Sequence, residues 1–126
     1  MQKNKIANKT IKKPQPYINK RRWGTENRFI YNTKCTVKIL NVLKGEQISV
    51  QYHFKRAEFW HVISGKVKIL KGKKWYTAER GTSFWLPKKT VHSVIGIAKE
   101  SRILEISQGE FQQTDIIRLQ DKYGRK

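Results

Sequence analysis

Eight short runs rich in β-branched and aromatic residues follow one another between residues 36 and 107, and no segment between them has a helical period. They span 36–42, 47–53, 58–63, 66–70, 74–78, 82–86, 91–97 and 102–107. Such residues fit a pleated, half-buried surface. Turn-forming residues separate many of the runs: Lys44-Gly45, Ser64-Gly65, Lys71-Gly72, Arg80-Gly81 and Pro87. This spacing predicts an all-β sandwich or barrel, and 126 residues suffice for a single core. Beyond Gly109, Ile116, Ile117 and Leu119 fit either a short capping helix or an added strand.

The N-terminus has a different character. Lys3, Lys5, Lys9, Lys12, Lys13 and Lys20 occur there with no acidic residue, and Pro14 and Pro16 bracket Gln15. Charge repulsion and proline predict a disordered or loosely docked basic arm over residues 1–20, followed by a single domain over 21–126. The formal net charge of +19 admits two readings, a polyanion partner or a lysine-rich surface arising from codon bias. The chain has no Gly-aromatic RNA-binding strand, no GxxG loop and no zinc-finger spacing, so nucleic acid is expected as a nonspecific partner at most. No apolar run approaches the roughly 20 residues that span a bilayer. The basic start lacks the apolar core of a secretory signal, and Cys35 alone cannot form an internal disulfide. A cytoplasmic protein with no membrane partner is the expectation.

The chemistry gathers around residues 47–58. Strict alternation puts Gln47, Ser49, Gln51 and His53 on one strand face and Ile48, Val50 and Tyr52 on the other. In the next run, Glu58 shares a face with Trp60 and Val62. A carboxylate among bulky apolar neighbours is costly unless it is paired or bound to a metal. Gln51 and His53 can chelate one ion, and Glu58 can add a hard oxygen. Read alone, a Gln-x-His pair is more often a hydrogen-bonded surface pair.

The longer spacing changes that balance. From Gly45, five residues lead to Gln51, one to His53, four to Glu58 and six to Gly65. From Gly81, five residues lead to Pro87, one to Lys89 and two to His92. This resembles the two-part cupin signature, with Gln51 in place of its first histidine and Lys89 in place of a glycine. The resemblance implies a double-stranded β-helix, or jelly-roll barrel, holding one divalent ion (Zn, Mn, Fe, Co or Ni) through Gln51, His53, Glu58 and His92. Arg56-Ala57-Glu58, Trp60 and Ser64-Gly65 further resemble the isomerase domain of type II phosphomannose isomerases. In many of those proteins this domain follows a mannose-1-phosphate guanylyltransferase. The likeness extends from Arg22-Trp23-Gly24 to Asp115-Ile116-Ile117-Arg118-Leu119 and Tyr123-Gly124-Arg125. Lys55 and Phe59 stand where that family commonly has histidine.

The implied reaction interconverts mannose 6-phosphate and fructose 6-phosphate, so a phosphorylated hexose is the expected substrate and a homodimer the expected assembly. The resemblance assigns Arg56 to phosphate or enediolate stabilisation; otherwise it is a surface arginine at a strand entrance. Lys55, Lys88 and Lys89 are further candidates for the mouth of the site. Glu105 is either the general base or the partner of a nearby lysine. His61, on the face opposite Glu58, reads as structural, and Trp60 and Trp85 as core or cavity wall. The alternative function is a binding-only cupin that acts with a separate nucleotidyltransferase.

Overall fold

The computed structural model describes residues 11–125 and divides the chain into two compact units, one ending at Lys34 and one beginning at Cys35. In the first unit, β1 (Tyr17–Arg21) and β2 (Gly24–Arg28) form an antiparallel hairpin closed across Arg22-Trp23. The Arg28 guanidinium lies 4.6 Å from the Tyr17 ring centroid and 4.2 Å from that of Tyr31. Residues Tyr17 to Lys20 of the expected arm therefore form part of a strand. Residues 1–10 lie outside the described residues.

The second unit contains β3 (Thr36–Leu43), β4 (Val50–Tyr52), β5 (Arg56–Ser64), β6 (Lys66–Lys71), β7 (Lys74–Glu79), β8 (Ser83–Leu86), β9 (His92–Gly96), β10 (Glu100–Gly109) and β11 (Ile117–Gln120). All eight runs read from the sequence appear as strands, and the tail supplies the added strand, β11. The strands form two antiparallel sheets, ordered β3-β10-β5-β8 and β11-β4-β9-β6-β7. Val42, Trp60, Val62, Val67, Ile69, Ala78, Leu86, Val94 and Ile103 fill the core between them. This is the jelly-roll arrangement that the cupin resemblance implies.

Tight turns demand particular residues. Gly65 links β5 to β6 at φ +88°, and a Cβ there would run into Ser101 Oγ and the Glu100 carbonyl. Ser101 Oγ both accepts from the Lys66 amide and donates to the Lys66 carbonyl, so that space is already taken. β5 is central to its sheet and is buried throughout Arg56–Trp60. It therefore carries Glu58 into the interior in register with Leu86 on one side and Ser107 on the other. In the second sheet, Gln51 is paired with His92. The two sheets thus converge their polar residues on one region.

Candidate metal centre

Strand pairing brings His53, Glu58 and His92 together, with one ligand atom from each lying within 4.8 Å of the others. All three are buried, each at 2% exposure. His53 Nδ1 lies 2.7 Å from the Asp115 carbonyl, and His92 Nδ1 lies 2.8 Å from that of Thr90. A carbonyl oxygen can only accept, so each Nδ1 carries the proton and each Nε2 is aimed at the site. The Glu58 carboxylate meets both, with Oε2 at 3.2 Å from His53 Nε2 and Oε1 at 3.6 Å from His92 Nε2.

His92 Nε2 is buried without a hydrogen-bond partner. Burial, the largest influence on this imidazole, lowers its pKa and favours the neutral ring. A neutral Nε2 presents a lone pair to a carboxylate oxygen, an arrangement that calls for a cation between them. Two imidazole nitrogens and a carboxylate oxygen are a fitting donor set for a divalent transition metal. Bonds of about 2.1 Å separate neighbouring ligand atoms by roughly 3.0–3.4 Å, close to the 3.2 and 3.6 Å between Glu58 and the two imidazoles. The residues fit a metal ion.

Gln51 is placed differently from these three. Its Oε1 accepts from Ser49 Oγ, and its Nε2 lies 3.4 Å from His53 Nε2. In this arrangement it presents an amide N–H to the centre rather than the oxygen expected of a ligand. Arg56 is buried and turned inward. Its Nε donates to Glu58 Oε2 at 3.1 Å, its Nη1 to the Gln112 carbonyl at 3.2 Å, and its Nη2 lies 3.3 Å from His53 Nε2. The fork that the sequence suggests for phosphate thus holds the two ligands Glu58 and His53.

Burial raises the pKa of Glu58, but the His53 hydrogen bond, the charges of His92 and His53 in their protonated forms and the Arg56 hydrogen bond outweigh it and bring the carboxyl to about 2. Trp60 Nε1 donates to Glu58 Oε1 at 3.0 Å, so this tryptophan both fills the core and fixes the carboxylate. Glu105 behaves in the opposite way. Burial, and then the negative charge of Glu58, raise its pKa despite Lys38 Nζ at 3.5 Å and a 3.0 Å hydrogen bond from Ser107 Oγ. Glu105 thus stands beside Lys38, and it also lines the same pocket as Glu58.

That pocket has a volume of about 180 Å³, far more than one water needs. Arg56, Glu58 and Trp60 form part of its wall, and Arg118 and Arg125 contribute from the C-terminal segment. Lys55 is not brought to it: its side chain is exposed and donates to Gln112 Oε1 at 3.1 Å. Lys89 adopts φ +67°, which explains why a glycine suits that motif position, and its amide donates to the His53 carbonyl at 2.7 Å. Its Nζ stands 5.9 Å from the Phe54 ring centroid. His61 faces away from the cluster, with Nδ1 2.8 Å from Ser83 Oγ.

The residues missed by sequence reasoning come mainly from the tail. Asp115 accepts from the amides of Phe54 and Lys55 at 3.0 and 2.9 Å while its carbonyl orients His53. Burial raises its pKa, but these two amide bonds outweigh that and keep the carboxyl below its usual range. Phe111 packs under the Arg56 guanidinium at 4.3 Å. An acidic residue following Gln112-Gln113-Thr114 carries no periodic signal. Only the closed fold puts it beside His53.

A two-sheet antiparallel barrel with a His–Glu–His cluster buried at its polar end is a cupin. The chain matches the mannose-6-phosphate isomerase C-terminal family over residues 9–121 and belongs to it. It is 31% identical over 106 residues to the mannose-1-phosphate guanylyltransferase RfbM of Salmonella typhimurium, covering 82% of this chain and 22% of that protein. It is 32% identical over 107 residues to the alginate biosynthesis protein AlgA of Pseudomonas aeruginosa, covering 83% of this chain and 22% of that protein. The chain thus spans about a fifth of the length of these relatives. Among solved structures, the dTDP-6-deoxy-D-glucose-3,5-epimerase RmlC of Legionella pneumophila superposes with a TM-score of 0.63 at 12% identity, covering 82% of this chain and 69% of that one. That likeness is one of fold. No helix among the described residues is long and apolar enough to cross a membrane.

Proposed function

We propose that the protein is a metal-dependent sugar-phosphate isomerase that interconverts mannose 6-phosphate and fructose 6-phosphate. The observation that carries this reading is the buried His53–Glu58–His92 cluster beside a pocket that also contains Glu105, in a chain of this family. His53, Glu58 and His92 would hold a divalent ion, which would supply Lewis-acid polarisation of the sugar oxygens. Gln51 would add a fourth ligand with its amide oxygen turned inward, and as placed offers an N–H to a sugar oxygen.

The protein's own groups divide the remaining work. The reaction removes a proton from C2 of the open-chain aldose and returns one to C1 of the ketose. Glu105 suits that transfer because burial and the charge of Glu58 raise its pKa towards the range where a carboxyl both accepts and donates. Lys38 and Ser107 hold it in place. Arg56 keeps Glu58 ionised and His53 oriented, so it is a positioning residue for the ligands. Lys55, exposed and bonded to Gln112, takes no part.

The test is solvent-deuterium exchange at the sugar's C1 and C2 in metal-supplemented protein, followed by NMR. Deuterium should enter, with fructose 6-phosphate accumulating from mannose 6-phosphate. Neither exchange nor product would reject the isomerase. The second reading, a binding-only cupin that works with a separate nucleotidyltransferase, would then stand. Its support is that the curated relatives named as guanylyltransferases match this chain over only 22% of their length.

A further inference from the structure

The pocket is electrically polarised along its depth. Its buried end carries the Glu58 and Glu105 carboxylates, whose side chains are 3% and 5% exposed. The outer wall carries half-buried Arg118 and exposed Arg125, the latter with a side chain 52% exposed. Alternation along β11 turns Arg118 inward while Ile117 and Leu119 remain exposed. The pocket's other two cations serve the buried end: Arg56 is bonded to Glu58, and Lys38 is paired with Glu105.

The geometry points to an anion subsite made by Arg118 and Arg125 at the pocket mouth. It takes the phosphate of a sugar phosphate whose polyol end reaches Glu58, the member of the His53–Glu58–His92 cluster that lines the pocket. For its choice of sugar phosphate as ligand, this assignment rests on the isomerase reading above. A phosphate placed at the buried end would face two carboxylates across a poorly solvated gap, whereas at the mouth it meets two guanidinium groups. Arg125 is preset by a two-point pair with Asp121, Nε to Oδ2 at 3.1 Å and Nη2 to Oδ1 at 2.9 Å. Asp121 shares the Arg125 guanidinium and also feels the charge of Arg118, so a ligand phosphate competes with this carboxylate for both cations. The planar fork of each suits the tetrahedral oxygens of phosphate.

Calorimetric titration of the full chain with mannose 6-phosphate, mannose and inorganic phosphate tests the subsite without relying on turnover. Wild type should bind mannose 6-phosphate at least about tenfold more tightly than mannose. R118Q and R125Q should each lose several-fold in that affinity, as expected for charge-assisted contacts shared with Asp121. Neither substitution should alter affinity for mannose, nor metal content measured by mass spectrometry. R118K should recover part of the loss, and with R125Q it keeps the test decisive if R118Q fails to fold. Unchanged mannose 6-phosphate binding in the R118Q/R125Q double variant overturns the subsite, even if that protein still isomerises. Arg118-dependent binding in a wild type that neither turns over substrate nor exchanges deuterium upholds the subsite and rejects the isomerase. If wild type binds neither inorganic phosphate nor mannose 6-phosphate, both ideas fall.

Discussion

His92 Nε2, buried and unpartnered opposite Glu58 Oε1, is costly in the metal-free chain and inexpensive once an ion joins it to the carboxylate. His53→Ala or His92→Ala should therefore sharply lower metal content measured by mass spectrometry, while the β-rich circular dichroism spectrum persists. Full occupancy in the double variant would remove the centre. Glu105 makes a separate prediction. Its carboxyl is raised on folding, so it adds stability when protonated, in full below its unfolded pKa and declining as pH rises through its folded value. Once ionised, the buried carboxylate is a net burden on the fold despite Lys38. Glu105→Gln should therefore raise stability at neutral pH, read as a higher Tm. The gain should fade below about pH 4, where both states are protonated. The same substitution should cost on the order of a hundredfold in isomerisation by removing the proton carrier. A loss of stability at pH 7 would instead make the Lys38 pair the dominant interaction.

At the scale of elements, the strands were legible because period-2 alternation and turn residues act locally. His53, Glu58 and His92 were legible because a fixed spacing between strands fixes where their side chains meet. The clasp between residues 110–116 and the loop that carries His53 was not legible. Glu110 N donates to the Lys55 carbonyl at 3.2 Å, and Asp115 caps the Phe54 and Lys55 amides, but both contacts exist only after the chain has closed on itself. The contacts of Arg56 were not legible for a related reason: from sequence its fork has no visible partner, whereas in the fold Glu58 and His53 lie within reach. Lys89 shows a motif departure with a measurable cost. A non-glycine residue at φ +67° is strained, and the Lys89 amide ties that turn to the His53 carbonyl. Lys89→Gly should relieve the strain and, after the glycine's greater unfolded-state entropy is subtracted, stabilise the fold by up to about 1 kcal/mol. Chemical denaturation measures this directly; a drop in midpoint would mean that the lysine side chain contributes more than its backbone costs. Gly65→Ala should act in the opposite direction, costing about 3 kcal/mol, because the positive φ and the collision with Ser101 add together.

At the scale of the whole molecule, the two units differ in what they hold. The core cluster spans Val42 to Ile103, and every residue of the candidate centre and its pocket lies between Lys38 and Arg125. The unit Cys35–Lys126 therefore contains its own apolar interior, its own turns and all of its metal donors. A domain of that kind has what independent folding requires, whereas an isolated two-stranded hairpin is marginal in water. A fragment comprising 35–126 should consequently show a cooperative thermal transition and take up the same metal complement as the full chain. It should also keep the Arg118-dependent preference for mannose 6-phosphate, since Arg118 and Arg125 belong to this unit. Circular dichroism, metal analysis and calorimetry on the fragment measure these in turn. A fragment that folds but no longer binds metal would show that the first unit acts on the centre. One that fails to fold would show that the barrel draws its stability from residues before Cys35.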